Sequence, residues 1–340
     1  MFRNVRRRTI LRLQLFGWFA LTYSTIGFVW EYIETNHSTL DGISVGLAVG
    51  ITLAAVEESK VGSFTRTMSV GKAILVKSLV YMVVLAVPIT IVGFIGGLMQ
   101  GATLQDFADW ILSAEFPIKL ALIYLIHVLV VFVRHISRLL GPRTLLRYIS
   151  GKYHRPRVER RIFMFLDLKS STMLAETLGS EKYFSFLNTV FRDFSEPILE
   201  RDAEIYQYIG DEVVLTWPVE RGLHDANCIR VFIEILAEIH NRREYYQTQF
   251  GHVPEFKAGL HYGDVITAEI GDLKKEIVYN GDVLNTTARI QSMCNHFGQR
   301  LIASDALVSV LDLPEFIQPN PLGDVELRGK AEPIGLVALA

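Results

Sequence analysis

Arg160 to Thr172, RRIFMFLDLKSST, is the stretch whose reading decides the fold of the second half of this chain. Arg161 to Leu166 is a continuous apolar run of strand length, and it delivers Asp167 into a short Lys-Ser-Ser-Thr turn. Ser170, Ser171 and Thr172 offer N-caps to a helix expected from Met173, whose free N–H groups and dipole favour phosphate. About one βαβ length later, Tyr208-Ile209-Gly210-Asp211 carries a second aspartate into a tight turn. Two carboxylates at strand ends, close to helix N–H groups, can hold divalent cations against phosphate oxygens. The first expectation is therefore a site for metal ions on a nucleoside triphosphate.

The elements that follow set the fold class. Apolar spacing predicts helices over 183–199, 227–243 and 283–295, and short strands over 204–209 and 212–217 around Gly210-Asp211. Phe256 to Tyr262 and Val265 to Ile270 read as a second hairpin around Gly263-Asp264. This order predicts an α+β layer, a mostly antiparallel sheet covered by helices on one face. Within the last helix, Asn285 and Arg289 are spaced i, i+4 and share a face. A carboxamide and a guanidinium there can bind charge developing on a phosphate.

Five stretches together resemble the catalytic domain of the class III nucleotidyl cyclases, the adenylate and guanylate cyclase family. They are Phe165 to Thr172, Tyr208 to Glu212, Ala258 to Gly263, Gly281 to Arg289 and Gly329 to Pro333, in the family's order. The resemblance implies a ferredoxin-like core working as a head-to-tail homodimer with shared active sites. It implies that Asp167 and Asp211, with the Leu168 carbonyl, bind two Mg²⁺ or Mn²⁺ ions. Asn285 of the other subunit would orient the ribose and Arg289 would stabilise the transition state. Lys330 falls where the family places a basic residue near the terminal phosphates, with Arg328 adjacent. The implied reaction is attack of a ribose 3′-oxygen on the α-phosphate, giving a 3′,5′-cyclic nucleotide and pyrophosphate.

The base-reading positions depart from the family's rules. Adenylate cyclases carry lysine with aspartate or threonine there, and guanylate cyclases carry glutamate with cysteine. This chain has Gln207 and Val278. Gln207 can donate and accept, whereas Val278 offers only packing. ATP is the expected substrate. A guanylate or pyrimidine nucleotide cyclase, or an inert nucleotide-binding sensor, are the alternatives.

The front half has a different chemistry. Residues 1–157 carry 17 Lys+Arg against 8 Asp+Glu, and residues 158–340 carry 17 against 28. The basic residues flank apolar runs instead of forming one patch, which points to membrane lipid and away from nucleic acid. Four stretches approach the roughly 20 apolar residues of a spanning helix, at about 13–33, 41–57, 74–98 and 118–139. Arg3, Arg6, Arg7, Arg8, Lys60, Arg66, Lys72, Arg134 and Arg138 border one side of these, while 31–41 and 99–117 hold no Lys or Arg. Four spans with both termini cytoplasmic satisfy that asymmetry, as in an integral protein of a bacterial inner membrane. Gly42, Gly46 and Gly50 form a small-residue stripe suited to helix packing, either within one chain or between chains. His127 lies inside the fourth run, but no second histidine sits one turn away, which argues against haem ligation. Cys228 and Cys294 lack metal-site spacing and suit a reducing compartment.

The expected organisation is a four-span α-helical transmembrane bundle over 1–139, a basic linker over 140–158 and an α+β ferredoxin-like cyclase domain over 159–340.

Overall fold

The computed structural model describes residues 7–35, 40–59, 70–99, 101–140, 147, 149–330 and 332–339. Two compact units make up the chain, Met1–Leu146 and Arg147–Ala340. The division falls inside the stretch expected to be a linker, so Arg147 onward packs with the second unit.

The first unit is helical: α1 (Arg7–Thr35), α2 (Leu40–Glu58), α3 (Val70–Met99), α4 (Leu104–Leu112) and α5 (Glu115–Leu140). The glycine stripe acts within the chain. A Cβ at Gly42, Gly46 or Gly50 would run into the backbone carbonyls of Gly27, Tyr23 and Phe19 respectively, so α2 lies directly against α1. Phe19, Tyr23, Leu53, Tyr81 and Leu85 form the core beside that contact. His127 is fully buried on α5, with its Nδ1 2.7 Å from the Tyr23 hydroxyl and its ring 4.3 Å from that of Tyr81. The stretch 99–117, which lacks Lys and Arg but carries Asp106, Asp109 and Glu115, is not simply a loop. Thr103 and Asp106 form a capping box that starts α4.

Among the described residues, Val80–Met99 is the one helix segment long and apolar enough to cross a membrane by itself. Leu104–Leu112 and Phe116–Val130 meet the same standard only as a pair bent by 59°, and Gly42–Val56 is apolar but shorter. His37, Arg3, Arg6, Lys60 and Arg66 lie outside the described residues.

The second unit is built on one eight-stranded sheet. Its strands are β1 (Arg157–Leu168), β2 (Glu204–Ile209), β3 (Glu212–Pro218), β4 (Phe256–Ile270), β5 (Glu276–Asn280), β6 (Leu301–Ser304), β7 (Pro319–Val325) and β8 (Ile334–Leu339). Their order is β2-β3-β1-β4-β6-β8-β7, with β5 paired to β4. All pairings are antiparallel except β4 with β6. The helices are α6 (Ser171–Leu178), α7 (Ser180–Asp193), α8 (Ser195–Glu200), α9 (Val219–Leu223), α10 (Asn227–Asn241), α11 (Arg243–Phe250), α12 (Asp282–His296) and α13 (Asp305–Val308).

Alternation along β1 shows how the sheet is sandwiched. Ile162, Met164, Leu166 and Leu168 face a core shared with Leu174 of α6, Phe186 of α7 and Ile235 of α10. Phe163 and Phe165 face the other way, toward Val265, Tyr279 and Val283 of α12. Helices therefore lie on both faces, and the expectation of one covered face is corrected by α12.

A second correction concerns Gly263-Asp264. No turn occurs there, because β4 runs unbroken for 15 residues and pairs with the whole of β1. Gly263 instead admits α12, since a Cβ would lie 2.7 Å from Val283 Cγ2. Gly259, on the same face, has the same use: its Cβ would collide with the backbone nitrogen of Gln291. The actual hairpin of this region joins β4 to β5, with Ile270 opposite Glu276.

Candidate active site

Asp167 is the penultimate residue of β1, and Leu168, almost fully buried, is the last. Asp211 sits in the two-residue turn between β2 and β3, where Gly210 has φ 64° and Ile209 pairs with Glu212. A left-handed glycine at the first turn position matches a type II′ hairpin, so the local sequence fixes where Asp211 stands.

The two aspartates act on the same neighbouring groups. Both raise the Glu212 carboxyl, which burial, first, and then Asp167 and Asp211 push up to about 7 against the opposing pull of Lys257. Tyr183 of α7 is raised as well, by burial and then by the negative charge of Asp211. Asp211 Oδ2 is buried, with no hydrogen-bond donor in reach among the described residues. Asp167 Oδ2 takes a hydrogen bond from Gln291 Nε2 at 3.0 Å and lies 3.1 Å from Lys257 Nζ.

This donor set fits a hard divalent cation. An orphaned, buried carboxylate oxygen beside a second carboxylate is costly in the absence of a positive partner. Among the described residues no group of three or more His, Cys, Asp or Glu is arranged to hold a metal. Two carboxylates suffice for Mg²⁺, which keeps waters and takes substrate phosphate oxygens for the rest of its shell.

The turn after β1 differs from its expected form. α6 starts at Ser171, and Ser170 stands at the N-cap with φ 57° and ψ 32°, so its side chain makes no capping hydrogen bond. Holding a non-glycine residue in this left-handed region costs on the order of 1–3 kcal/mol. Lys169 N–H donates to the Glu255 carbonyl at 2.8 Å, which anchors the turn from the β4 side. Ser171 is half-buried near Tyr183, and Thr172 is exposed.

A second group of residues gathers at the start of α12. Lys330 forms an ion pair with Asp282, and Asp282 accepts from Thr286 Oγ1 at 3.3 Å. Lys330 follows Gly329, whose φ of 72° brings the chain against Arg289; a Cβ there would lie 3.3 Å from the guanidinium. Asn285 is exposed one turn before Arg289. His261 of β4 is pushed down to about 4, first by burial and then by Lys330, and its Nδ1 lies 2.7 Å from Ser304 Oγ. Among the described residues no hydrogen bond or ion pair joins Asp167 or Asp211 to Asn285 or Arg289.

Gln207 is exposed on β2 and half-buried Val278 lies on β5 opposite Ala268. Their chain neighbours meet: the Tyr206 and Tyr279 rings are 4.9 Å apart, and Tyr279 N–H donates to the Tyr206 hydroxyl at 3.5 Å. The structure thus sets Asp167 and Asp211 around the same two groups, Glu212 and Tyr183, and Arg289 beside Gly329 next to Lys330, whereas at Gln207 and Val278 it is the chain neighbours Tyr206 and Tyr279 that meet.

Sequence reasoning missed Lys257, Gln291 and Glu212. Lys257 interrupts an apolar strand run, Phe256 to Leu260, and Gln291 falls among the buried positions Thr287, Ile290 and Cys294 of α12. A lone polar residue at an inward-facing position is the signal that each offered.

Residues 155–338 match the family model described as the adenylate and guanylate cyclase catalytic domain. Adenylate cyclase 2 of Rhizobium meliloti (strain 1021) is 36% identical over 210 residues, covering 62% of this chain and 58% of that protein. Adenylate cyclase 1 of the same organism is 27% identical over 176 residues, 49% of this chain and 25% of that protein. The chain thus spans just over half the length of the first relative and a quarter of the second. A bacterial light-regulated adenylyl cyclase structure shares the fold, with a TM-score of 0.55 and 21% identity over 63% of each chain. With a family match over more than half its length, the chain belongs to the proteins that carry an adenylate and guanylate cyclase catalytic domain.

Proposed function

We propose that the chain is a membrane-anchored adenylate cyclase, converting ATP to 3′,5′-cyclic AMP and pyrophosphate at sites shared between two copies. The observation that carries this is the pair Asp167 and Asp211, which act together on Glu212 and include a buried carboxylate oxygen that no donor among the described residues reaches, inside the region matched by the cyclase model. The similarity to two proteins named adenylate cyclase supports ATP as the nucleotide.

Asp167, Asp211 and the Leu168 carbonyl are the groups that would hold two divalent cations, Mg²⁺ or Mn²⁺, which when bound supply activation of the 3′-hydroxyl and charge neutralisation on pyrophosphate. Asn285 orients the ribose, and Arg289 meets the negative charge that grows on the α-phosphate. The 3′-oxygen bonds to the α-phosphorus as the bond to the pyrophosphate bridging oxygen breaks, and the hydroxyl proton passes to solvent. Lys330 exchanges Asp282 for the terminal phosphates. The Ser170, Ser171 and Thr172 turn borders the phosphate chain, and Gln207 and Val278 border the base.

Helix geometry supports a site completed by a second copy. A helix turns about 100° per residue, so Gln291, which touches Asp167, is roughly 200° around α12 from Arg289. Arg289 and exposed Asn285 are therefore turned away from the aspartate of their own chain.

The helical unit serves as a four-span anchor with both termini cytoplasmic. Support comes from Val80–Met99, from the bent pair Leu104–Leu112 and Phe116–Val130, and from the one-sided distribution of Lys and Arg. Basic residues before and after the spans rest on anionic headgroups.

The test is to incubate the purified full chain in detergent with Mn²⁺ and each of the four ribonucleoside triphosphates, and to identify products by mass. Cyclic AMP from ATP is expected. A cyclic product from GTP or a pyrimidine nucleotide alone would overturn the choice of base. No cyclic product from any nucleotide, with dimers demonstrated, would overturn the enzyme.

A further inference from the structure

We propose that Gln291 is a positioning residue that fixes Asp167 and at the same time sets the helix serving the other active site of the dimer. This rests on the shared-site reading above.

Asp167 Oδ2 is held from two sides. Gln291 Nε2 donates to it at 3.0 Å from α12, and Lys257 Nζ lies 3.1 Å away on β4, in direct register with Asp167. Two donors occupy one carboxylate oxygen, so the rotation of the carboxylate is set before any cation arrives. Gln291 is 7% exposed and Lys257 8%, so water competes little for either contact. Lys257 is itself steered by Asn295 Oδ1 of α12 at 3.3 Å. Both donors therefore depend on where α12 lies.

The helix is brought close enough by Gly259. No side chain separates β4 from the Gln291 backbone, and any Cβ at Gly259 would force α12 away. A glutamine amide reaches only a few ångströms, so this approach decides whether the hydrogen bond to Asp167 exists.

Functionally, α12 has two working sides. Its inward side, through Gln291, orients a carboxylate of its own chain. Its outward side presents Asn285 and Arg289 to the ribose and α-phosphate at the partner's site. Any change in how Asp167 is held is thereby also a change in how α12 is seated, and it reaches both sites of the dimer through one hydrogen bond. Partners that orient metal-binding groups in this way typically alter metal affinity by about 10–100-fold when removed.

The experiment compares the full-length wild-type chain with Gln291→Met, which keeps side-chain volume and removes the donor. Mn²⁺ binding is followed by electron paramagnetic resonance in the presence of 3′-deoxy-ATP, which lacks the attacking hydroxyl. The expected result is about 10–100-fold weaker Mn²⁺ binding, with a lowered kcat that saturating Mn²⁺ does not restore. Thermal unfolding of both proteins shows whether the variant is folded, and Gln291→Asn, which keeps the amide on a shorter arm, is the second variant and should fall between the two. Folded variants that bind Mn²⁺ within twofold of wild type would overturn the inference, even if their stability is lower. A wild-type chain that makes no cyclic product and binds no Mn²⁺ would instead overturn the function on which it rests.

Discussion

Arg161 Nη2 donates to Glu204 Oε2 at 2.6 Å, pairing a fully buried guanidinium on β1 with the first residue of β2. Arg147, the first residue of the second unit, closes on both Glu204 oxygens at 3.0 and 3.1 Å, and Arg221 Nη2 lies 3.4 Å from Oε1. The Arg161 guanidinium also covers the Tyr279 ring at 4.7 Å. One carboxylate thus fastens the start of the unit to the strand edge that carries Gln207 and to the strand that carries Val278.

Glu204→Gln should destabilise the protein strongly. Burial alone would raise the Glu204 carboxyl, but Arg161 and Arg147 outweigh burial and hold it below the usual carboxylate range. Removing the charge takes the shared counter-charge from Arg161, Arg147 and Arg221 and leaves buried Arg161 with Glu159 at 3.2 Å as its remaining carboxylate among the described residues, a change bounded above by the about 3–5 kcal/mol of a fully uncompensated buried charge. Thermal unfolding of the full chain should show a clear fall in Tm. An unchanged Tm would mean that the cluster is not holding the sheet edge.

The pH response of the protein without divalent cations should carry the signature of Glu212. Its carboxyl sits at about 7 in the folded chain, above the ordinary value of 4.5. The folded state therefore binds more protons than the unfolded state between these limits, and stability falls as pH rises through that window. Tm measured in chelator should decline from pH 4.5 through about pH 7, and this component should level off above that. Glu212→Gln should remove this component of the decline, and an unaltered pH profile would contradict the placement of Glu212 within reach of both aspartates.

Gly259→Ala and Gly263→Ala should differ in cost. The alanine methyl at 259 meets the α12 backbone, whereas at 263 it meets a methyl of Val283 that has rotamers available. Overpacking costs typically about 1–3 kcal/mol, and the backbone clash belongs at or above the top of that range. Unfolding measurements should rank Gly259→Ala as the more damaging, with weaker Mn²⁺ binding because Gln291 is displaced. Equal effects would argue that α12 moves freely over β4.

The local structure of the candidate site was legible because it rests on short-range chemistry. An apolar strand ending in Asp167, a glycine-led hairpin carrying Asp211, and Asn285 and Arg289 one turn apart are all short-range patterns. Gly263-Asp264 misled for a physical reason: a glycine can mark a turn or a close approach, and only the pairing of β4 with β1 along their length decides between them. Lys257 and Gln291 were hidden because their meaning depends on strand register and on the seating of α12, neither of which a local window contains. The glycine stripe of α2 predicted a contact, but only the placement of α1 showed that the partner is in the same chain.

The most direct test of the shared site mixes two inactive chains. On the proposed reading, Asp167→Ala lacks the cation half and Arg289→Ala lacks the transition-state half. Each homodimer should lose at least about 100-fold in activity, since a preorganised charge in such a site is worth several kcal/mol. A heterodimer contains one complete site, with Asp167 from one chain and Arg289 from the other. Cyclic AMP formation should return on mixing, to about half the wild-type rate per heterodimer. Continued inactivity, with heterodimers confirmed by differential tags, would contradict a site divided between two copies of the chain.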